Sequence, residues 1–433
     1  MEIRIDSSLP RIPHKKHWQF CVGSAHALMA LRTDYTRQLK FIHDTLGIQR
    51  VRFHGIFCDD MRTVNDLSSQ LDVPGAEAFT EYNFNACGIA YDNVLSAGMK
   101  PLVELSFMPE KLALKEEGRP VKGGFFYRPN IVPPADYTQW RAYLQAFARF
   151  LLHRYGAEEV RTWLFEVWNE PDLPYVFWNG SRDEYFQLYA ESARAIKDVD
   201  PQIQVGGPAT SGSKWISSFL KYCRENDVPV DFVTTHQYAG DPLGGVEDQG
   251  DGEGQAGGSS IWCFSDIFEE LHPFPQEFHG GFGMITQNGI PKPVYHAMKL
   301  LADAPDTRID LGPEALDGEI GAAAFEGNRE THVILFRQKM KNLDLPKEEA
   351  VVRLACANRP KNVTLRRIDE DHGNPLKLWE AMGRPDSLNR AEVEVLKEKS
   401  TIRPEKWPYS WENGVLTVRT ELGVNDVYGL VIE

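Results

Sequence analysis

A chain of 433 residues is too long for one ordinary domain and suits a barrel of about 250 residues with an appended module. Its 42% hydrophobic and 25% charged residues exclude a disordered chain, and a net charge of −15 argues against nucleic acid as a partner. The N-terminal MEIRIDSSLPRIPHKKHW has no apolar stretch fit for a signal peptide and no run approaches a membrane span, so the sequence predicts a cytoplasmic protein with no membrane partner. Six cysteines (Cys21, Cys58, Cys87, Cys223, Cys263, Cys356) show no CxxC spacing, as expected of free thiols in a reducing compartment.

In chain order, the candidate strands are FCVGSAHA (20–27), VRFHGIF (51–57), PLVELSF (101–107), WLFEVWNE (163–170), IQVGGPA (203–209), DFVTTHQY (231–238) and SSIWCFSD (259–266). Near-continuous apolar character is what strands buried on both faces need, which favours a parallel sheet. Between them, Tyr137, Trp140, Leu144, Phe147 and Leu151 share one helical face that Asp136 can cap. Ser181 and Glu184 have capping-box spacing ahead of Tyr185, Leu188, Tyr189, Ala193 and Ile196 on one stripe. Repeated strand–helix units imply an α/β fold, either a (β/α) TIM-type barrel or a doubly wound sheet. No Gly-rich phosphate fingerprint follows the first strand, which favours the barrel, over residues 15–305.

From about residue 306 the rhythm changes. IGAAAFEG (320–327), THVILFRQ (331–338), VVRLACA (351–357), NVTLRRID (362–369), GVLTVRTEL (414–422) and YGLVIE (428–433) read as strands between turns, with Asn413-Gly414 a strong turn signal. Residues 306–433 are expected to form a β-sandwich to which residues 1–14 add a strand. The polar stretches 338–350 and 370–408 are expected as loops.

The stretch WLFEVWNEPD (163–172) carries the chemistry. It opens like a buried strand and stops at Pro171, which cannot donate a ladder hydrogen bond. Glu170 therefore sits at the carboxyl end of a barrel strand, where barrel enzymes hold catalytic groups. Glu166 lies four residues back, roughly 13 Å down an extended strand at about 3.3 Å per residue. Glycosidase carboxyl pairs stand about 5 Å apart for retention and up to about 9.5 Å for inversion, so these two are not a pair. Glu166 is expected inside the barrel, paired with an arginine such as Arg52.

These ten residues resemble the signature of glycoside hydrolase family 39, which contains β-xylosidases and α-L-iduronidases. The likeness extends to FHGIFCDD (53–60), FWNGSRDEYFQLY (177–189), THQY (235–238), WCFSDIFEE (262–270) and FHGGFGMITQNGIPKP (278–293), all similar to the xylosidase branch. The resemblance implies a retaining β-xylosidase that removes terminal β-xylosyl residues from short oligosaccharides or aryl glycosides. Glu170 would be the general acid/base, and Asn169 would bind the sugar 2-hydroxyl, a contact that strengthens in the transition state. His54, His236, Tyr238, Trp262, Glu269 and Glu270 would line the sugar site. Each has a plainer reading: the histidines and Trp262 as core, Glu269 and Glu270 as an exposed acidic pair. No cofactor or metal is implied, since there is no HExxH or Cys/His cluster. The sequence leaves the oligomeric state open.

Retention needs a second carboxylate across the sugar. In the family it lies on strand seven, in a segment resembling Thr-Glu-Trp between THxY and the eighth strand. Here only 23 residues, eight of them glycine, separate Tyr238 from Trp262. A strand and its crossover helix need more chain, and such glycine content disfavours both. The sequence thus predicts a barrel without its seventh βα unit or its family nucleophile. Three explanations stand: the segment is lost or omitted, Glu247 or Glu253 replaces the nucleophile, or the chain is a non-catalytic sugar-binding relative. A glycine-rich loop is a poor support for a nucleophile that must be held within about 0.5 Å, which ranks replacement last.

Overall fold

The computed structural model describes residues 1–66, 80–238, 257–270, 275–313, 315, 318–339 and 344–433. The chain divides into two compact units, one of Trp18–Asp44 and Ile48–Pro273, the other of Met1–His17, Thr45–Gly47 and Phe274–Glu433.

The first unit is built on seven parallel strands: β1 Cys21–His26, β2 Arg50–His54, β3 Lys100–Glu104, β4 Leu164–Glu166, β5 Gln204–Ser211, β6 Phe232–His236 and β7 Ser260–Ile261. Their order in the sheet is β7-β1-β2-β3-β4-β5-β6. Among the described residues, the longer helices between them are α1 Thr33–Leu46, α2 Asn85–Ser96, α3 Tyr137–Tyr155, α4 Arg182–Val199 and α5 Ile216–Glu225. This is an α/β TIM-like fold, a curled parallel sheet with helices, and not a doubly wound one. β1 is buried along its whole length, and β2, β3 and β5 nearly so, which is why they read as unbroken apolar runs. β6 alternates between half-buried and exposed positions. Among the described residues β6 and β7 form the two ends of the sheet.

Helix starts follow their sequence signals. The Asp136 carboxylate accepts the Thr138 amide at 2.7 Å, and Trp140, Leu144, Phe147 and Leu151 are buried beneath α3. Both bonds of the Ser181/Glu184 capping box form at α4, each such cap being worth about 1 kcal/mol.

The apolar run 163–170 is strand only from Leu164 to Glu166. Trp168 and Glu170 adopt left-handed backbone, with φ of 74° and 41°. The chain thus leaves the ladder before the motif ends, and the Glu170 amide instead bonds the Ala209 carbonyl at 2.9 Å. Left-handed conformations in non-glycine residues cost on the order of 1–3 kcal/mol and concentrate at functional sites.

In the second unit, strands Glu2–Ile5, Glu348–Ala355, Tyr409–Glu412 and Val415–Leu422 form one sheet, and Arg11–Pro13, Thr307–Ile309, Gly321–Glu326, Thr331–Phe336, Val363–Ile368, Glu405–Lys406 and Val427–Ile432 another. Ile3, Val352 and Val418 from the first sheet share a hydrophobic cluster with Ala324, Val333, Leu365 and Leu430 from the second. The stretch 370–408, expected as loop, holds two helices, Leu376–Ala381 and Arg390–Ser400. The second starts at a full Asn389/Glu392 capping box, a signal that polar composition hid. No helix among the described residues is long and apolar enough to cross a membrane.

Candidate active site

The carboxyl ends of the parallel strands gather a buried network of charge. From β2, Arg52 Nε donates to Glu166 Oε2 at 2.6 Å, and its Nη2 lies 2.9 Å from Asn169 Oδ1 and 2.8 Å from Glu104 Oε2. Arg52 thus locks Asn169 in place, because both hydrogens of a planar guanidinium fork are aimed at fixed acceptors. Glu104 also takes a hydrogen bond from the Ser106 hydroxyl and pairs with His54 Nδ1 at 2.8 Å. Burial raises the Glu104 carboxyl, but Arg52, His54 and these hydrogen bonds outweigh it and hold the group below the usual range. It is therefore an ionised acceptor, and His54 Nδ1 carries the hydrogen.

The other ring nitrogen of His54 lies 3.3 Å from Glu270 Oε1. The Trp262 ring stands 5.1 Å from the His54 ring, centre to centre. Space for it comes from Gly23 in β1, where a Cβ would fall 2.3 Å from Trp262 Cε3. Glu170, nearly buried, meets His236 Nδ1 at 2.7 Å. One proton lies between that carboxyl and that imidazole, which suits a group that must both give and take a proton. Asp172 anchors the turn that follows by accepting the Ser211 amide and hydroxyl at 2.8 and 2.9 Å.

Three further residues lie outside the sequence candidates. His26 from the end of β1 binds Asp60 at 2.9 Å and stacks on Tyr127, ring centres 4.1 Å apart. Among the described residues, His26 Nδ1 and the Tyr127 hydroxyl are buried without a hydrogen-bond partner, and Glu270 Oε1 has only the 3.3 Å approach of His54 Nε2. Buried polar atoms without partners are uncommon, and His26 Nδ1 and the Tyr127 hydroxyl are groups that a polyhydroxylated ligand would satisfy. The signal for Glu104 was available: one acid inside the apolar run PLVELSF needs a buried partner. His26, Asp60 and Tyr127 had no comparable signal.

The sequence candidates therefore divide. Asn169 and His54 join the Arg52–Glu104 network, with Glu270 and Trp262 beside His54. Glu170 and His236 pair with one another. Tyr238 is half-exposed; partial burial, then the charge of Glu170, raise its hydroxyl above the ordinary value. Glu269 is half-buried within electrostatic reach of Arg32 and, among the described residues, makes no hydrogen bond or ion pair with the network. Glu270 is buried, which rules out the exposed acidic pair. Glu247 and Glu253 lie outside the described residues.

Burial, followed by the carboxylates of Glu104 and Glu170, pushes the Glu270 carboxyl well above its usual range. A raised folded pKa contributes stability that is complete below the unfolded value, 4.5, and is lost as pH rises through the folded value. Glu270→Gln is therefore expected to match wild type in urea midpoint near pH 4.5 and to exceed it increasingly toward pH 8. A difference that stays constant across that range would show that Glu270 ionises normally.

Comparison with known proteins agrees with this geometry. The family model described as Glycosyl hydrolases family 39 matches residues 1–249 and 246–414. The chain is 35% identical to a β-xylosidase of Caldicellulosiruptor saccharolyticus over 457 positions, covering 92% of this chain and 90% of that one. It is 32% identical to a β-xylosidase of Geobacillus stearothermophilus, covering 88% and 86%. Among solved structures, the GH39 enzyme of Xanthomonas axonopodis pv. citri superposes with a TM-score of 0.80 at 25% identity, covering 100% of this chain and 97% of that one. A GH39 β-xylosidase of Caulobacter crescentus gives 0.79 at 28%, with both chains fully covered. With matches of this extent, the chain belongs to glycosyl hydrolases family 39 and is a glycosyl hydrolase resembling xylan 1,4-β-xylosidase.

Proposed function

We propose that this chain is a β-xylosidase-type protein that accepts a terminal β-xylosyl unit of short oligosaccharides or aryl glycosides, with Glu170 as general acid/base. The reading rests above all on the Glu170–His236 pair at the strand ends, with the buried, unpartnered His26 Nδ1 and Tyr127 hydroxyl as further support. In glycoside cleavage Glu170 gives its proton to the glycosidic oxygen as the C1–O bond breaks. It then takes a proton from the water that attacks C1. Asn169, held by Arg52, is placed to bind the sugar 2-hydroxyl. His54, Trp262, Glu270, His236 and Tyr238 surround the same ring; Glu269 contributes from the rim.

The proposal includes a barrel, residues 15–305, without its seventh βα unit. Two observations support that. The family model matches in two pieces that meet at residues 246–249, within the glycine-rich stretch. The alignment to the C. saccharolyticus relative spans 457 positions while covering 92% of a chain of 433, so this chain carries gaps within it. Residues 306–433, with the N-terminal strands, are read as the β-sandwich, and the protein as cytoplasmic.

The test is turnover of an aryl β-xyloside with a poor, unactivated leaving group by wild type and Glu170→Gln at high protein concentration. Slow release that falls by at least about 10²-fold in the variant supports acid/base catalysis by Glu170. Tight binding of xylose with no release supports instead the sugar-binding relative. Neither binding nor release would overturn the proposal.

A further inference from the structure

Asp172 takes no part in the proton transfers above, yet its side chain is only 2% exposed and meets three donors. These are the Ser211 amide at 2.8 Å, the Ser211 hydroxyl at 2.9 Å and Lys214 Nζ at 3.3 Å. A carboxylate is costly to bury unless it is paired and hydrogen-bonded, and here both conditions are met by the chain beyond β5 and its last residue.

That end of β5 is irregular. Thr234 of β6 pairs with Pro208 and Thr235 with Thr210, so Ala209 is an extra residue in β5, a bulge with φ of 55°. A bulge bends its strand and re-aims the groups around it. Here the Ala209 carbonyl accepts the Glu170 amide at 2.9 Å, and the shifted register sets Ser211 opposite His236. One residue on, the Gly212 amide donates to the His236 carbonyl at 2.7 Å. The Ser213 amide, from a residue with φ of 58°, donates to Thr235 Oγ1 at 2.9 Å. Left-handed residues such as Ala209 and Ser213 persist only where their surroundings over-determine them. Five residues, 209–213, thus bond the backbone of both members of the Glu170–His236 pair, and Asp172 fastens the middle one.

We infer that Asp172 is a positioning residue: by fixing Ser211 it holds the bulged strap that sets Glu170 and His236 at hydrogen-bond distance. This rests on Glu170 being the general acid/base. Proton transfer needs a heavy-atom separation of about 2.6–3.2 Å, and a misplacement of about 1 Å can cost on the order of 10²-fold in rate. Loosening the strap therefore slows cleavage that needs the Glu170 proton, and spares substrate binding and leaving groups that depart unprotonated.

Proton NMR of the full chain, labelled with ¹⁵N at histidine, reads the pair whether or not the chain turns over. The His236 Nδ1 proton is expected as a downfield resonance, identified by its loss in His236→Asn. Asp172→Ala is expected to broaden it through exchange with water. Asp172→Asn is expected to retain it, because its oxygen can accept the Ser211 amide and its nitrogen can donate to the Ser211 hydroxyl. With azide present, Asp172→Ala is expected to slow cleavage of an alkyl β-xyloside about 10- to 100-fold in kcat, with KM unchanged and a dinitrophenyl β-xyloside within about 3-fold of wild type. Asp172→Asn is expected to restore the alkyl xyloside rate. Ser211→Ala, which removes only the hydroxyl contact, is expected to give a smaller loss in the same direction and replaces Asp172→Ala should that variant not fold. No downfield resonance in wild type, or an unchanged one in the deleted variant, overturns the role. So does an equal loss for both leaving groups, or Asp172→Asn as impaired as Asp172→Ala. An alkyl xyloside cleaved equally well by Glu170→Gln overturns the acid/base reading alone, and the resonance still decides what Asp172 holds.

Discussion

Azide is expected to accelerate cleavage of an activated aryl β-xyloside by this chain, from a very low rate in its absence, and to release the inverted α-xylosyl azide. Glu170 can protonate the leaving oxygen, and an activated leaving group hardly needs even that. On the proposed reading, a barrel without its seventh βα unit would lack a carboxylate positioned to capture the oxocarbenium-like centre from the opposite face. Removing one member of a catalytic set costs on the order of 10⁴- to 10⁶-fold in rate. A small anion that diffuses into the vacated space restores part of that loss and leaves its own atom on C1 with inverted configuration. Proton NMR of the product distinguishes the anomers directly. Rapid turnover without azide, with retained configuration and loss of activity on Glu247→Ala or Glu253→Ala, would show that the glycine-rich stretch carries a replacement nucleophile.

Much of the scaffold around that chemistry was legible in the chain. Strands buried on both faces announce themselves as apolar runs, but Pro171 does not mark where WLFEVWNEPD leaves the ladder: β4 ends at Glu166, and Glu170 lies four residues beyond it. The Glu166–Arg52 pair follows from the cost of burying an acid alone. Other features had no local signal. That Arg52 also reaches Glu104 and Asn169 depends on the register of β2, β3 and β4, where Arg52 lies opposite Leu102 and Glu104 opposite Glu166. No single strand encodes that alignment. His26 and Tyr127 lie about a hundred residues apart, and only the packed structure stacks them. The helix Arg390–Ser400 was readable from its Asn389/Glu392 cap, but charged composition suggested loop more strongly. The short extent of β4 reflects the left-handed residues Trp168 and Glu170, a conformation that side-chain pattern does not foretell.

The same register makes Arg52 the most exposed point of the fold to substitution. Arg52→Met keeps the volume and the apolar stem but removes the charge that Glu104 and Glu166 share, both about 1% exposed. It also leaves Asn169 Oδ1 without its donor. Burial already disfavours the ionised form of Glu104, and Arg52 is the first of the opposing influences that hold it ionised. Without the guanidinium Glu166 loses the cation it is paired with, and Glu104 keeps only His54 and the Ser106 hydroxyl. Breaking a buried ion pair from one side costs about 3–5 kcal/mol, a large share of the 5–15 kcal/mol that holds a typical domain together. Urea denaturation should therefore show a midpoint far below wild type. Lower pH should recover part of the loss, because protonating Glu104, which burial already favours, removes uncompensated charge. Adding Glu166→Gln to Arg52→Met should recover part of it at neutral pH as well, and the coupling between the two changes measures the pair. A midpoint for Arg52→Met within about 1 kcal/mol of wild type, unchanged between pH 5 and pH 8, would mean that water or a rearranged side chain replaces the guanidinium. In that case the network does not anchor Asn169 as described.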